Sequence, residues 1–171
     1  MTAKIDISSI ESRTIEQNSL SVIVPVHNEE ETLPVFHEKL SAVLDELECQ
    51  TEILYINDGS TDHSSLLINT WQQNDTRVGL LDLSRNFGKE AAMSAGLDHC
   101  KGDAVIIIDS DLQDPPELIP QLVAKWQQGF EVVYATRTER DGESWLRKFT
   151  THLFYRLLHK TASVDIPKDT G

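Results

Sequence analysis

With 171 residues, of which 39% are hydrophobic and 6% aromatic, the chain can bury the core of one ordinary domain, and a disordered or fibrous reading is excluded. A formal net charge of −13 excludes a general nucleic-acid binder, which needs clustered Lys and Arg. Residues 144–171 carry five basic and two acidic side chains, so the acidic excess lies before them, where it would repel a phosphate-bearing substrate unless a cation bridged the two.

Residues 1–19 are polar and aperiodic and read as a flexible tail, leaving 20–171 as one folded domain. Leu20 to Val26 is a β-branched run, a buried strand. Leu33, Phe36, Leu40, Val43, Leu44 and Leu47 recur at three and four residues, one face of a helix. Cys49 follows; with Cys100 it makes no CxxC spacing, so both cysteines read as buried and reduced rather than as zinc ligands or a disulfide. Glu52 to Ile56 is a second strand, and Asp62 can cap a helix carrying Leu66, Leu67 and Trp71. Val78 to Leu83 is a third strand and Gly88 to His99 a third helix. Asp103 to Ile108 is a fourth strand, aliphatic enough to be central and covered on both faces. A helix then starts at Asp114-Pro115-Pro116-Glu117, Glu131 to Ala135 is a fifth strand, and Ser144 to Lys160 a last helix. The alternation predicts an α/β fold, a mostly parallel central sheet with helices on both faces. The longest aliphatic run, Ala104 to Ile108, is too short to cross a bilayer, and no signal-peptide core opens the chain, so as given it reads as soluble and intracellular.

In such sheets ligands bind beyond the carboxyl ends of the strands. Those ends carry Pro25-Val26-His27-Asn28-Glu29-Glu30, Asn57-Asp58-Gly59-Ser60-Thr61-Asp62, Asp109-Ser110-Asp111-Leu112-Gln113 and Ala135-Thr136-Arg137. Asp109 and Asp111, one residue apart at a strand end, can both reach one hard cation such as Mg²⁺ or Mn²⁺, with open positions left for diphosphate oxygens. The bland counterpart is a solvated acidic turn with Asp114 capping a helix. Competing signals are missing: no strand is followed by Gly-x-Gly-x-x-Gly, Gly88-Lys89 lacks the earlier glycine of a P-loop because Leu83 stands there, and the six histidines show no ligand spacing.

Val24-Pro25-Val26-His27-Asn28-Glu29-Glu30, Asn57-Asp58-Gly59-Ser60-Thr61-Asp62, Arg85-Asn86-Phe87-Gly88-Lys89 and Asp109-Ser110-Asp111-Leu112-Gln113-Asp114-Pro115 together resemble glycosyltransferase family 2, in its polyprenyl-phosphate glycosyltransferase branch. The resemblance implies a GT-A (Rossmann-like) fold, a UDP- or GDP-linked sugar donor, Mg²⁺ or Mn²⁺, inversion at the anomeric carbon and a polyprenyl phosphate acceptor. It implies that Pro25, His27, Glu29, Ile56, Asp58, Ser110, Lys89 and Arg137 bind the nucleotide sugar and that Asp109 and Asp111 hold the metal. It makes Asp111, Gln113 and Asp169 the catalytic set, with Asp169 on the acceptor side. His27 stands where an aromatic Tyr is frequent. It also implies that the chain stops, at Asp169-Thr170-Gly171, inside a motif that family members continue into interface helices and often two membrane spans, placing the full-length protein at the cytoplasmic face of a membrane. Two other readings stay open: transfer to a saccharide hydroxyl, and an inactive fragment that only binds nucleotide. The helix expected at 144–160 bears an apolar stripe of Trp145, Phe149, Leu153, Phe154, Leu157 and Leu158 beside Lys148, Arg156 and Lys160, a pattern that suits either an anionic membrane surface or packing on the sheet.

Overall fold

The computed structural model describes residues 19–135, in two compact units, one ending at Gln128 and one starting at Gly129. Arg137, Asp169, the helix expected at 144–160 and the expected tail up to residue 18 lie outside the described residues.

Within the first unit, four strands form a parallel sheet: β1 (Ser19–Val26), β2 (Gln50–Asn57), β3 (Val78–Asp82) and β4 (Ala104–Ile107), in the order β3-β2-β1-β4. Between them run α1 (Leu33–Asp45), α2 (Ser64–Asn74) and α3 (Lys89–His99), and after β4 a 3-10 turn at Pro116–Leu118 leads into α4 (Ile119–Gln127). The period-2 alternation of β1 sorts its side chains onto two faces. Leu20, Val22, Val24 and Val26 enter the larger core with Leu33, Phe36, Leu40 and Leu44 of α1, Ile68 of α2 and Val123 of α4. Ile23 turns the other way, into a smaller core with Leu54, Ile56 and Ala92 of α3. Helices therefore cover both faces, as expected. Gly96 permits the close approach of α3, since a Cβ there would stand 2.5 Å from Cγ2 of Ile23.

Three expectations need correction. The fourth strand is not central among the described residues: there β1 and β2 have partners on both sides, while β4 pairs with β1 alone, and Val105 and Ile107 are 36% and 42% exposed. An aliphatic run marks a strand well enough, but its place in the sheet depends on chain order. No fifth strand forms at 131–135, where Val132 and Tyr134 are exposed and no ladder partner is present among the described residues. Cys49 and Cys100 are free but only half-buried.

The register matters for the site. Val26 pairs with Asn57 and Asn57 with Asp82, so three strands end level, and the pairing of Ile23 with Ile107 brings the segment after β4 to the same edge. The chain steps outward from β1 through β2 to β3 and then crosses over to β4 on the other side of β1. A crevice opens at such a switch point.

Candidate functional site

The loops after β1 and β2 are laced together by side chains that accept backbone N–H bonds. Thr61 N–H donates to Asn28 Oδ1 (2.8 Å) and Asn28 N–H to Ser60 Oγ (3.0 Å). Glu30 N–H donates to Asp62 Oδ2 (3.0 Å), His63 N–H to Glu30 Oε2 (2.8 Å), and Glu29 N–H to Ser64 Oγ (3.0 Å). The His63 N–H and ring hold the Glu30 carboxyl below the usual range. Burial works against the charge on Asp62, yet the bonds from Ser64 and Glu30 outweigh it and its carboxyl is also lowered. Asn28 takes φ +56°, a left-handed conformation that Asn tolerates better than most residues. Asp62 does not cap α2 as expected: His63 holds the N-cap position without a side-chain bond, and Asp62 stands one residue earlier in an Asx turn, its Oδ1 accepting from Ser64 N–H at 2.9 Å.

Asp58 ties in a third loop. It is only 4% exposed, and its two oxygens accept from the N–H of Phe87 (2.7 Å) and of Gly88 (2.9 Å). Gly59, at φ +64°, lets this loop lie against it: a Cβ would sit 2.4 Å from the Arg85 carbonyl carbon. The loop after β3 was not among the strand ends expected at the crevice, yet it supplies Asn86, Gly88 and Lys89 to it.

His27 is fixed in one tautomer. Asn28 Oδ1 accepts from Thr61 N–H and Asn86 Oδ1 accepts from Gly88 N–H, which orients both amides so that their NH₂ groups face His27 Nε2, at 3.2 and 3.0 Å. A ring nitrogen facing two donors must be the acceptor, so the proton sits on Nδ1, which donates to the Asp58 carbonyl at 2.8 Å. The role of Asn86 carried no signal in the sequence beyond its place between Arg85 and Phe87.

After β4 the chain makes a tight acidic turn. Lys89 Nζ, from the first residue of α3, donates to Asp109 Oδ2 at 2.6 Å, and Asp111 Oδ1 accepts from Gln113 N–H at 2.9 Å. Leu112 sits at φ +62°, which costs a non-glycine residue on the order of 1–2 kcal/mol. Its packing against the larger core offsets that strain.

These pieces enclose a cavity of about 360 Å³ at the carboxyl ends of β1, β2 and β4. Pro25, His27, Glu29 and Asp58 line it from the β1 and β2 ends, and Lys89, Asp109, Ser110 and Asp111 from α3 and the β4 end. Two expected residues do not line it. Ile56 is fully buried in the smaller core, because strand alternation turns it under α3. The Gln113 side chain is exposed outside the cavity lining, its N–H serving the Asp111 turn. Asp109 and Asp111 are hard oxygen donors, suited to Mg²⁺ or Mn²⁺. Among the described residues no three His, Cys, Asp or Glu side chains converge as a metal cage. Two carboxylates alone leave a cation's other positions to substrate oxygens and water.

The sequence signature described as glycosyl transferase family 2 matches residues 21–170. The chain is 46% identical over 151 residues to the uncharacterized glycosyltransferase YkcC of Bacillus subtilis, an alignment covering 88% of this chain and 47% of that protein. It is 45% identical over 152 residues to the bactoprenol glucosyl transferase of Shigella phage SfV, covering 89% of this chain and 50% of the relative. Among solved structures, the mannosyltransferase PcManGT from Pyrobaculum calidifontis, in complex with GDP-Man and Mn²⁺, superimposes with a TM-score of 0.52 and 26% identity, over 64% of this chain and 32% of that one. The chain spans about half the length of the curated relatives it matches. The fold is of the expected GT-A type, and the chain belongs to glycosyltransferase family 2.

Proposed function

We propose that residues 20–171 form the donor-binding part of an inverting, metal-dependent glycosyltransferase, which moves a sugar from a UDP- or GDP-linked donor to a polyprenyl phosphate at the cytoplasmic face of a membrane. One observation carries the reading: at the switch point of a parallel sheet, Asp109, Asp111 and Lys89 share one cavity with His27 and Glu29. Carboxylates beside an ammonium suit a metal-bridged diphosphate, and the aromatic and carboxylate walls suit a nucleoside. The relatives named bactoprenol glucosyl transferases support the lipid phosphate, and the neighbour holding GDP-Man and Mn²⁺ supports the donor class.

The chemistry follows from these groups. Asp109 and Asp111 would hold Mg²⁺ or Mn²⁺, which supplies Lewis-acid neutralisation of the leaving diphosphate when bound. The ring of His27, with Nδ1–H committed to Asp58 and Nε2 to two amides, is a fixed wall for the nucleoside rather than a base. No strong base is required: a phosphate acceptor, with a second pKa of about 6, is largely ionised at neutral pH and needs positioning for attack on the opposite face of the anomeric carbon. Arg137 is assigned to the sugar or phosphates and Asp169 to the acceptor side, while Gln113, outside the cavity lining, is left without the role that the resemblance implied.

Calorimetric titration with UDP and GDP, each in Mn²⁺ and in EDTA, tests the donor site, and binding that ignores the metal would sink it. Transfer of labelled sugar to a polyprenyl phosphate, run beside saccharide acceptors, tests the acceptor. Transfer to the saccharide alone would replace the lipid reading, and nucleotide binding with no transfer or donor hydrolysis would leave only a binding fragment.

A further inference from the structure

Four carboxylates line the cavity, and between them they have three kinds of partner. Asp58 accepts two loop N–H bonds, Glu29 accepts from the Thr32 hydroxyl, Asp111 accepts the Gln113 N–H, and Asp109 takes an ammonium. Lys89 is the one lysine or arginine among the described residues of the lining. Its ammonium occupies Asp109 Oδ2, an oxygen that a bridging cation at Asp109 and Asp111 would also use. Two positive charges on one carboxylate repel each other, so each disfavours the other.

The surroundings leave the ammonium free to move while fixing its base. The N–H of Gly88 is held by both Asp58 and Asn86, which pins the backbone just before Lys89. The Lys89 side chain is half exposed, with solvent along its flexible four-carbon stem. Exposed ion pairs are weak, worth no more than about fivefold in an equilibrium constant, so this one is easily displaced.

We infer that Lys89 is a counter-ion that changes hands: it holds Asp109 in the empty site and passes to the donor's diphosphate when the cation takes its place on Asp109. This rests on the reading of the cavity as a metal–diphosphate site. The consequence is a binding order. Without nucleotide, the cation must compete with an ammonium that has nowhere better to go. With nucleotide present, the diphosphate draws the ammonium away and the competition ends. Cation and nucleoside diphosphate therefore bind cooperatively, and by linkage each raises the other's affinity by the same factor.

The test compares wild type, Lys89→Met, Lys89→Arg and Lys101→Met by calorimetry, with Mn²⁺ alone, UDP or GDP in Mn²⁺, and the same nucleotide in EDTA. Lys101, beside Glu52 and Ser21 at the amino ends of β1 and β2, controls for net charge. Lys89→Met is expected to bind Mn²⁺ alone about two- to fivefold more tightly and the nucleotide in Mn²⁺ about tenfold more weakly. Lys89→Arg is expected to keep the wild-type coupling, and Lys101→Met to change neither affinity. The opposite signs are the signature, since a merely structural lysine would weaken both. Mn²⁺ affinity that is unchanged or lowered in Lys89→Met, or nucleotide affinity that is retained, overturns the hand-over while the metal–diphosphate site stands. Wild-type nucleotide affinity indifferent to EDTA overturns that site and the hand-over with it.

Discussion

Replacing Asp58 by Ala removes an acceptor for two backbone N–H groups at once, those of Phe87 and Gly88. The carboxylate is 4% exposed, and hydrogen bonds to a charged acceptor are worth about 1.5–3 kcal/mol each. The two contributions do not simply add, because the side chain of Phe87 is exposed and water can reach part of the released loop. A loss of about 2–4 kcal/mol is therefore expected, large against a typical domain stability of about 5–15 kcal/mol. Asp58→Asn keeps one acceptor but turns an NH₂ toward the other N–H, so roughly half that loss is expected. Urea unfolding at neutral pH reads the stability, and hydrogen exchange at Phe87 and Gly88 reads the loop, whose amides should exchange faster in both variants. Nucleotide affinity in Mn²⁺ should fall as well, because Asn86, Gly88 and Lys89 reach the cavity on this loop. The reasoning is refuted if Asp58→Ala keeps its stability within about 0.5 kcal/mol and its amide protection while nucleotide affinity drops. That pattern would place the carboxylate on the nucleoside and not on the loop.

Asp111→Asn should lower nucleoside-diphosphate affinity in Mn²⁺ at least about tenfold, to the level wild type shows in EDTA, and a variant that still responds to Mn²⁺ would show that Asp111 is no ligand. Gly59→Ala puts a Cβ 2.4 Å from the Arg85 carbonyl carbon at φ +64°, so it should cost more than the roughly 1 kcal/mol of a left-handed alanine alone, and an unchanged melting temperature would contradict that contact. His37 stacks on Trp71 at 4.0 Å and bonds Tyr55; burial, opposed by Asp75 and aided by Arg77, holds its imidazole below the usual 6.5. The unfolded chain then takes up the proton first, so stability should be full above 6.5, fall as pH drops through 6.5 toward the lowered value, and level off below it; a His37→Gln variant with the same slope would exclude His37 as the source. For the 144–160 segment, co-sedimentation with anionic vesicles should weaken at high salt and in Arg156→Glu/Lys160→Glu, and binding that is absent or indifferent to both would refute a membrane role.

The elements of this fold were legible because their periodicity is a local property. Leu33, Phe36, Leu40 and Leu44 recur on one helical face whatever the sheet order, and they are buried in α1. Sheet position is not local. Val105 and Ile107 have the side chains of a doubly covered strand, yet they stand half-exposed on β4, on the face where α3 packs over β1 and β2. The run from Glu131 to Ala135 has strand composition as well, but composition gives no ladder partner and no strand forms there.

At the site, sequence showed which segments converge but not which side chain in each segment faces the cavity. Along Asn57-Asp58-Gly59-Ser60-Thr61-Asp62, the Ser60 and Asp62 side chains and the Thr61 N–H lace this loop to the β1 loop, and Asn57 accepts from Ser60 N–H. Only Asp58 of these lines the cavity, and even its oxygens are spent on loop amides. The resemblance implies a place there for Ile56 as well, although strand alternation turns it into the core. Asn and Asp look alike in both roles, since the short side chain that could meet a ribose also accepts a loop N–H. What separates the roles is whether a backbone donor lies within reach, and that is set by the partner loop, thirty residues away. Asp109 is the informative contrast. Among the described residues its side chain takes the ammonium of Lys89 and no backbone N–H. A carboxylate held by a movable cation is the one in this cavity that can change partners without the loops coming apart.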